Sequence, residues 1–350
     1  MKHVSVDAAS GRYEVVVGEG ARHGLAALLA ARLPTCQAAA IVTQQRVVDE
    51  GWLEGLDPGV DASLHVIEEG EAAKSLATVE RLCSELVTEG VSRRDVVVGF
   101  GGGVVTDVAG FVASVHLRGV ALVQLPSTLL GQVDAAIGGK NGVNLKAGKN
   151  LVGTFHQPIG VLCDTAVLAT LPPREWACGN GEIAKYALLV GGDPVSLAAA
   201  PLDEKVARCV AIKADFVGTD EREGGRRALL NYGHTLAHAL ESSQAGASDA
   251  DLRHGEAVAV GLAFAARLAA RLGRIDADRV RQHDDVLEVF GLRGELPASS
   301  ASVLVELMRV DKKAHHSLAF VLDGPSGFEL VEDVEERDVL ATLRAMGAGS

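Results

Sequence analysis

An α/β domain with a parallel sheet, followed by a mostly α-helical domain, is the fold class this 350-residue sequence predicts, and three observations predict it. Short apolar runs alternate with amphipathic helical patterns as far as about residue 163. The run Asp95-Val96-Val97-Val98-Gly99 is apolar without alternation, as a strand covered on both faces must be. From Pro172 onward the period turns helical almost throughout. The domain boundary is therefore placed near residue 170, giving domains 1–170 and 171–350.

The elements follow in order. Strands at 3–6 and 13–17 flank the turn residues Ser10-Gly11, so a hairpin opens the chain. Helix is expected at 21–33, strand at 38–43, helix at 45–53, strand at 62–67, helix at 75–89 and strand at 95–99. Helix at 103–116, strand at 121–125, a helical turn from about 128 and a short strand at 160–163 complete the first half. The second half reads as helices at 173–190, 203–218, 226–242, 254–272, 276–290 and 300–313. A hairpin around 318–331, turning at Asp323-Gly324-Pro325-Ser326-Gly327, precedes a last helix at 335–346.

Composition narrows the function classes. With 33 basic and 46 acidic residues the formal charge is −13, which argues against bulk electrostatic binding to nucleic acid or an anionic membrane. No run of about eighteen apolar residues suggests a membrane span, and the first residues lack the apolar core of a signal peptide. Five cysteines form no Cys-x-x-Cys pair, and a reducing cytoplasmic compartment is the simplest expectation.

Three stretches carry candidate chemistry. In Asn231-Tyr232-Gly233-His234-Thr235-Leu236-Ala237-His238 the two histidines lie four apart, so on a helix they share a face, with Asn231 one turn earlier on the same stripe. That pair serves a metal ion, an anion, or two ordinary histidines with satisfied ring nitrogens. Glu182 and Lys185 in one segment, and His254 in another, put ionisable groups into otherwise apolar helical patterns, where burial demands a compensating partner. Gly99 to Gly110 follows a buried strand and opens a helix, either as a tight turn or as a phosphate cradle at a helix N-terminus. Its spacing does not match Gly-x-Gly-x-x-Gly. Between 118 and 150, Arg118, Asp134, Lys140, Asn144, Lys149 and Asn150 lie among glycines. The lysines there are surface loop residues or ammonium groups aimed at an anion; with Lys213, Arg227 and Lys312-Lys313 they favour a phosphorylated or carboxylated substrate.

Taken together, these segments resemble the 3-dehydroquinate synthases within the sugar phosphate cyclases. The resemblance runs from about Glu71 to Gly324 and rests on motifs in one order. They are Gly101-Gly102-Gly103-Val104-Val105-Thr106-Asp107, Gln132-Val133-Asp134 through Gly138-Gly139-Lys140, Gly148-Lys149-Asn150, Glu182-Ile183-Ala184-Lys185-Tyr186, Asn231 through His234, His254-Gly255-Glu256-Ala257 and Asp311-Lys312-Lys313. It implies a Rossmann-like NAD-binding domain, a helical domain, a divalent metal (zinc or cobalt) and a homodimer acting on a phosphorylated heptulosonate. By resemblance, Glu182, His234 and His254 are the metal ligands, while His238 contacts the substrate phosphate. Lys140, Asn150, Arg118 from a neighbouring subunit, and Lys312 or Lys313 are the other phosphate contacts. Lys213 and Arg227 match the carboxylate site; Asp134, Lys185 and Asn231 match residues around the hydroxyls. Glu71, Lys74, Gly102, Gly103, Val104, Asp107, Ser127, Thr128, Lys140, Lys149 and Thr170 correspond to cofactor contacts. The implied reaction makes 3-dehydroquinate; the alternatives are another cyclase, of aminodehydroquinate type, and a metal-dependent alcohol or glycerol dehydrogenase. Departures from the commoner pattern are Thr43-Gln44-Gln45-Arg46, Asn141 beside Lys140, and Gly179-Asn180-Gly181 before Glu182.

Overall fold

A computed structural model describes residues 1–244, 251–311 and 318–349. The first elements are β1 (Lys2–Ala8), β2 (Gly11–Val17), α1 (Leu25–Arg32), β3 (Ala38–Gln44), α2 (Gln45–Asp49), β4 (Asp61–Ile67), α3 (Leu76–Thr88), β5 (Val96–Gly101), α4 (Gly103–Val115) and β6 (Ala121–Pro126). A two-stranded hairpin, β7 (Lys140–Leu145) and β8 (Gly148–Phe155), precedes β9 (Gly160–Cys163). Then come α5 (Pro173–Val190), α6 (Pro194–Ala199), α7 (Leu202–Thr219), α8 (His234–Gln244), α9 (His254–Arg271), α10 (Ala277–Val289) and α11 (Ala301–Asp311). The strands β10 (Phe320–Leu322) and β11 (Glu329–Val331) and the helix α12 (Glu336–Ala345) follow.

Two compact units emerge. The first comprises Met1–Pro172 with Pro201–Arg222, and the second Pro173–Ala200 with Glu223–Ser350. Helix α7, expected with the helical half, thus packs in the first unit, where it lies against β1.

In the first unit seven strands run in the order β1-β2-β9-β6-β5-β3-β4, all parallel except the β1–β2 pair. Every residue of β5 is buried, which is why its sequence shows no alternation. Val97, Ala40 and Val42 pack with Leu82 and Leu86 of α3 and with Val105, Val108 and Val112 of α4 to form one core. The chain leaving β3 goes to the edge strand β4, whereas the chain leaving β5 goes to β6 on the other side. The neighbouring carboxyl ends of β3 and β5 are therefore the sheet's switch point, the place where open α/β sheets bind ligands. Thr43 on β3 donates from Oγ1 to the Phe100 carbonyl on β5 at 2.7 Å and ties the two ends together.

Three elements differ from expectation. The sequence shows the hairpin β7–β8 only as a basic, glycine-rich stretch, because its two-residue turn Lys146-Ala147 lacks the usual Asn-Gly or Gly-x signal. Packing holds it instead: Asn141 fills the notch left by Gly110 on α4, where a Cβ would come within 1.8 Å of its Oδ1. The Asn141 amide donates to the carbonyls of Gly139 and His156 at 2.9 and 3.0 Å. Helix α6 was not anticipated. The helix expected at 226–242 is two elements, a 3₁₀ segment Arg226–Asn231 and α8, separated by Tyr232 and by Gly233 at φ +79°. Asn231 therefore lies outside the α-helix and does not share the histidine stripe. The second unit is helical with the short β10–β11 hairpin, as expected. Among the described residues, no helix is long and apolar enough to cross a membrane.

Candidate metal centre and anion sites

Glu182, His234 and His254 come from α5, α8 and α9, and the backbones of these helices touch at glycines beside each of them. A Cβ on Gly181 would sit 2.3 Å from the Gly255 carbonyl oxygen, and one on Gly255 only 1.8 Å from that of Cys178. A Cβ on Gly261 of α9 would lie 1.9 Å from the Gly233 carbonyl oxygen. Small residues thus bring the three side chains to one point. One nitrogen from each histidine and one oxygen from Glu182 lie within 4.8 Å of one another.

The distances suit a small cation. Glu182 Oε1 is 3.4 Å from His234 Nε2 and 3.5 Å from His254 Nε2. Ligands held at zinc-like bond lengths of about 2.0–2.1 Å in a tetrahedron stand about 3.3–3.4 Å apart. Glu182 is 0% exposed, yet neither of its oxygens meets hydrogen-bond geometry. Such a buried carboxylate is costly unless cations compensate it; Lys185 stands at Oε2, while Oε1 faces the two imidazoles. Each imidazole also has its other nitrogen engaged: His234 Nδ1 lies 3.1 Å from the Tyr232 carbonyl and His254 Nδ1 3.3 Å from Glu241 Oε2. Both rings accordingly present Nε2 to Glu182, the arrangement a metal-binding histidine needs. The donor set, one carboxylate and two imidazoles, fits a divalent metal with coordination positions left open.

Electrostatics differ among the three. Burial opposes charge on Glu182, but Lys185 and then His234 outweigh it and hold the carboxyl well below its ordinary range. Burial and Lys185 hold His234 below the usual histidine value. Burial also works against a charge on His254, but Glu182 and Glu241 prevail and raise its pKa to about 10. A metal entering this site must therefore displace a proton from His254.

The other expected residues of the second unit lie as follows. Lys185, 1% exposed, pairs with Glu182 and lies 4.9 Å from the Tyr186 ring centroid. His238 stands beside the group, its ring centroid 5.5 Å from that of His234 and 6.4 Å from that of His254, but it is not among the three converging ligands. Asn231 donates to Glu223 Oε1 at 2.7 Å, and Arg227, in the same 3₁₀ segment, is 1% exposed. Lys312 and Lys313 lie outside the described residues.

In the first unit three of the expected cofactor residues, Glu71, Lys74 and Asp107, form a second polar group. Lys74 Nζ donates to Asp107 Oδ2 and Asn150 Oδ1, both at 2.6 Å, with Glu71 at 3.7 Å. Burial opposes a charge on Lys74, but Asp107 and Glu71 hold its pKa above the ordinary lysine value. Asn144 closes the group, donating to Glu71 and accepting from the Asn150 amide, both at 2.8 Å. Asn150, expected at the phosphate, accepts here from Lys74, one of the expected cofactor residues. Gly102 and Gly103 open α4 with Val104, and a Cβ on Gly101 would strike Val105 at 2.4 Å. Thr128 supports the turn after β6 by accepting from the Gly131 amide at 3.0 Å, and the Ser127 amide donates to the Gly101 carbonyl at 2.9 Å. This bare backbone at a helix N-terminus, beside the switch point, fits a dinucleotide phosphate. Thr170 bonds to Glu50 at 2.5 Å and accepts from Trp52 at 3.0 Å. Lys213 donates to both the carbonyl and Oδ1 of Asp134 at 2.7 Å. Lys140, Lys149 and Arg118 are exposed, Arg118 in a left-handed turn at φ +68°.

Two residues escaped the sequence reading. Glu241 lies seven after His234, two helical turns along the same face, and that spacing could have marked it. Glu223, in the polar run Glu221-Arg222-Glu223-Gly224, carries no such signal.

Comparison with known proteins agrees along the chain. Residues 64–178 match the model of the 3-dehydroquinate synthase N-terminal domain and residues 179–314 that of its C-terminal domain. A protein of Amycolatopsis mediterranei named "Putative aminodehydroquinate synthase" is 48% identical, over 98% of this chain and 94% of the relative. A 3-dehydroquinate synthase of Nitrobacter hamburgensis is 43% identical, over 97% of this chain and 95% of its own. The crystal structure of a 2-deoxy-scyllo-inosose synthase, complexed with carbaglucose-6-phosphate, NAD⁺ and Co²⁺, superposes with a TM-score of 0.88 at 25% identity. That superposition covers 98% of this chain and 100% of the other. By the family models over residues 64–314 and by relatives over nearly its whole length, this chain belongs to the 3-dehydroquinate synthase family.

Proposed function

We propose that this enzyme converts 3-deoxy-D-arabino-heptulosonate 7-phosphate into 3-dehydroquinate and phosphate, an early step of the shikimate pathway. The observation that carries the reading is the convergence of Glu182, His234 and His254 in a chain of this family. When bound, NAD⁺ supplies a hydride acceptor restored within each turnover, and zinc or cobalt supplies a Lewis acid. The 2-deoxy-scyllo-inosose synthase, which holds NAD⁺ and Co²⁺, supports this pair of cofactors. Glu182, His234 and His254 would hold the metal. Glu71, Lys74, Gly102, Gly103, Val104, Asp107, Ser127, Thr128, Lys140, Lys149 and Thr170 would hold the dinucleotide.

The remaining residues bind and orient the substrate. Lys140, Asn150, His238, Arg118 and one of Lys312 or Lys313 would bind its phosphate, and Lys213 and Arg227 its carboxylate. Asp134, Lys185 and Asn231 would fix its hydroxyls. Oxidation at C5 makes the neighbouring C6 proton acidic, so phosphate leaves by elimination; return of the hydride, ring opening and an aldol closure complete the carbocycle. Preorganised cations lower the barrier by stabilising charge on the departing phosphate. Further parts of this reading are a cytoplasmic homodimer, with Arg118 reaching into the neighbouring subunit, and no nucleic-acid or membrane partner. The five free thiols and the charge of −13 support the compartment and the missing polyanion partner.

The Amycolatopsis relative favours a second reading, in which the substrate is the amino analogue of the heptulosonate phosphate. One experiment separates the two. The protein is incubated with each sugar phosphate, catalytic NAD⁺ and a divalent metal, and the products are identified by NMR. Phosphate should accumulate over many turnovers while NADH absorbance stays flat, with 3-dehydroquinate as the carbocycle. Turnover of the amino analogue alone would transfer the assignment to the second reading. Stoichiometric NADH would instead indicate a dehydrogenase.

A further inference from the structure

We propose that Glu241 is the positioning residue that orients His254 for metal binding; the inference rests on reading Glu182, His234 and His254 as the metal ligands. His254 is the first residue of α9. Its orientation is settled from α8. Glu241 Oε2 lies 3.3 Å from His254 Nδ1, and the Glu241 side chain is only 13% exposed. The His238 ring, one turn earlier on the same face of α8, lies nearly parallel to that of His254, at 28° between planes. With Nδ1 turned to Glu241, Nε2 on the other side of the ring is the nitrogen that faces Glu182, and once a metal displaces its proton it would present its lone pair there while Nδ1–H donates to Glu241.

Two alternatives for Glu241 fail on geometry. As a fourth metal ligand it would have to approach Nε2, but it contacts the opposite nitrogen and is absent from the converging group. As an ordinary cap for α9 it is redundant, because Glu256 already accepts from the Arg253 amide at 2.8 Å and is gripped by Arg174. The comparison with His234 sharpens the assignment. That ring is oriented by the neutral Tyr232 carbonyl, so only His254 receives a carboxylate, which both fixes the tautomer and raises the basicity of the ligand.

The test uses the full chain and its metals. Zn²⁺ affinity is measured by chelator competition, and Co²⁺ loading by its visible spectrum, for the wild type, Glu241→Ala, Glu241→Gln and His234→Ala. Glu241→Ala should weaken Zn²⁺ binding about 10- to 100-fold and alter the Co²⁺ band pattern, because the imidazole is free to turn. Glu241→Gln keeps an acceptor for Nδ1–H, so it should retain the wild-type band pattern with an affinity loss several times smaller. Wild-type affinity and spectrum in Glu241→Ala would overturn the proposal. Should that variant not fold, Glu241→Gln decides alone: unchanged affinity overturns the role, and a several-fold loss supports it. The His234→Ala control keeps the two readings apart. If it too binds metal as the wild type does, the metal site itself is misassigned; if it loses metal while the Glu241 variants do not, only the role of Glu241 falls.

Discussion

Glu182, His234 and His254 sit on three helices whose backbones touch through glycines, whereas Lys140, Lys149 and Asn150 sit on a two-stranded hairpin with their side chains exposed. The first group is largely buried and held by helix packing before any ligand arrives, Glu182 fully and the two histidines in part. The second lies at the protein surface, where a ligand meets it without burying a charge first. A metal of fixed bond length rewards the first arrangement, since small displacements lengthen every bond at once. A phosphate with several oxygens tolerates the second.

The largest expected effect tests that contrast directly. His254→Ala should abolish stoichiometric metal binding and lower kcat/KM by at least about a thousandfold, roughly 4 kcal/mol of barrier. Lys140→Met should leave metal content and thermal stability at wild-type values and lower kcat/KM on the phosphorylated substrate by about ten- to a hundredfold. The two variants are compared by metal analysis and steady-state kinetics. Metal loss in Lys140→Met, or full occupancy in His254→Ala, would break the division between the sites.

A smaller effect belongs to the glycine contacts. Gly181→Ala adds one methyl group 2.3 Å from a backbone oxygen, so α5 and α9 must separate. Overpacking of this kind costs about 1–3 kcal/mol. Chemical denaturation should report that loss, and metal affinity should fall with it, because Glu182 and His254 flank the contact. A stable Gly181→Ala protein with unchanged affinity would show that the helices hold the ligands without help from the glycines.

The sequence revealed the buried site better than the surface one. Helical period and the motifs around Glu182, His234 and His254 located α5, α8 and α9, and the unalternating run of β5 identified the parallel sheet. What failed was set by tertiary contact. The hairpin β7–β8 owes its register to the fit of Asn141 into the Gly110 notch, which no local pattern announces. The break before His234 needs Gly233 in a left-handed conformation, and a glycine inside a helical pattern does not declare whether it bends the chain. Gly181 becomes intelligible only when Gly255 is seen against it. Helix α7 has an ordinary amphipathic sequence, and only its packing against β1 assigns it to the first unit.

The smallest predicted effect concerns the far end of the strand that carries the glycine turn, and it separates stability from function within one element. Asp95 precedes β5 at the end opposite Gly101. Its carboxylate accepts from the amides of Gln37 and Ala38 at 3.0 Å each, and from the amide and hydroxyl of Ser92 at 2.7 Å each. Burial opposes its charge, but the Ser92 hydroxyl and these backbone donors hold its pKa below the ordinary aspartate value. A carboxyl depressed in the folded state stabilises the protein above its unfolded pKa, near 3.9, and that stabilisation is lost as pH falls toward the folded value. Asp95→Asn should therefore cost about 1 kcal/mol at neutral pH. The gap from wild type in denaturant titrations should hold from pH 7 to about 5 and narrow below about pH 4. Metal content, cofactor affinity and turnover should not move, because open α/β sheets bind their ligands at the carboxyl ends of the strands. Loss of turnover in Asp95→Asn at unchanged stability would mean that the amino end of the sheet also serves the reaction.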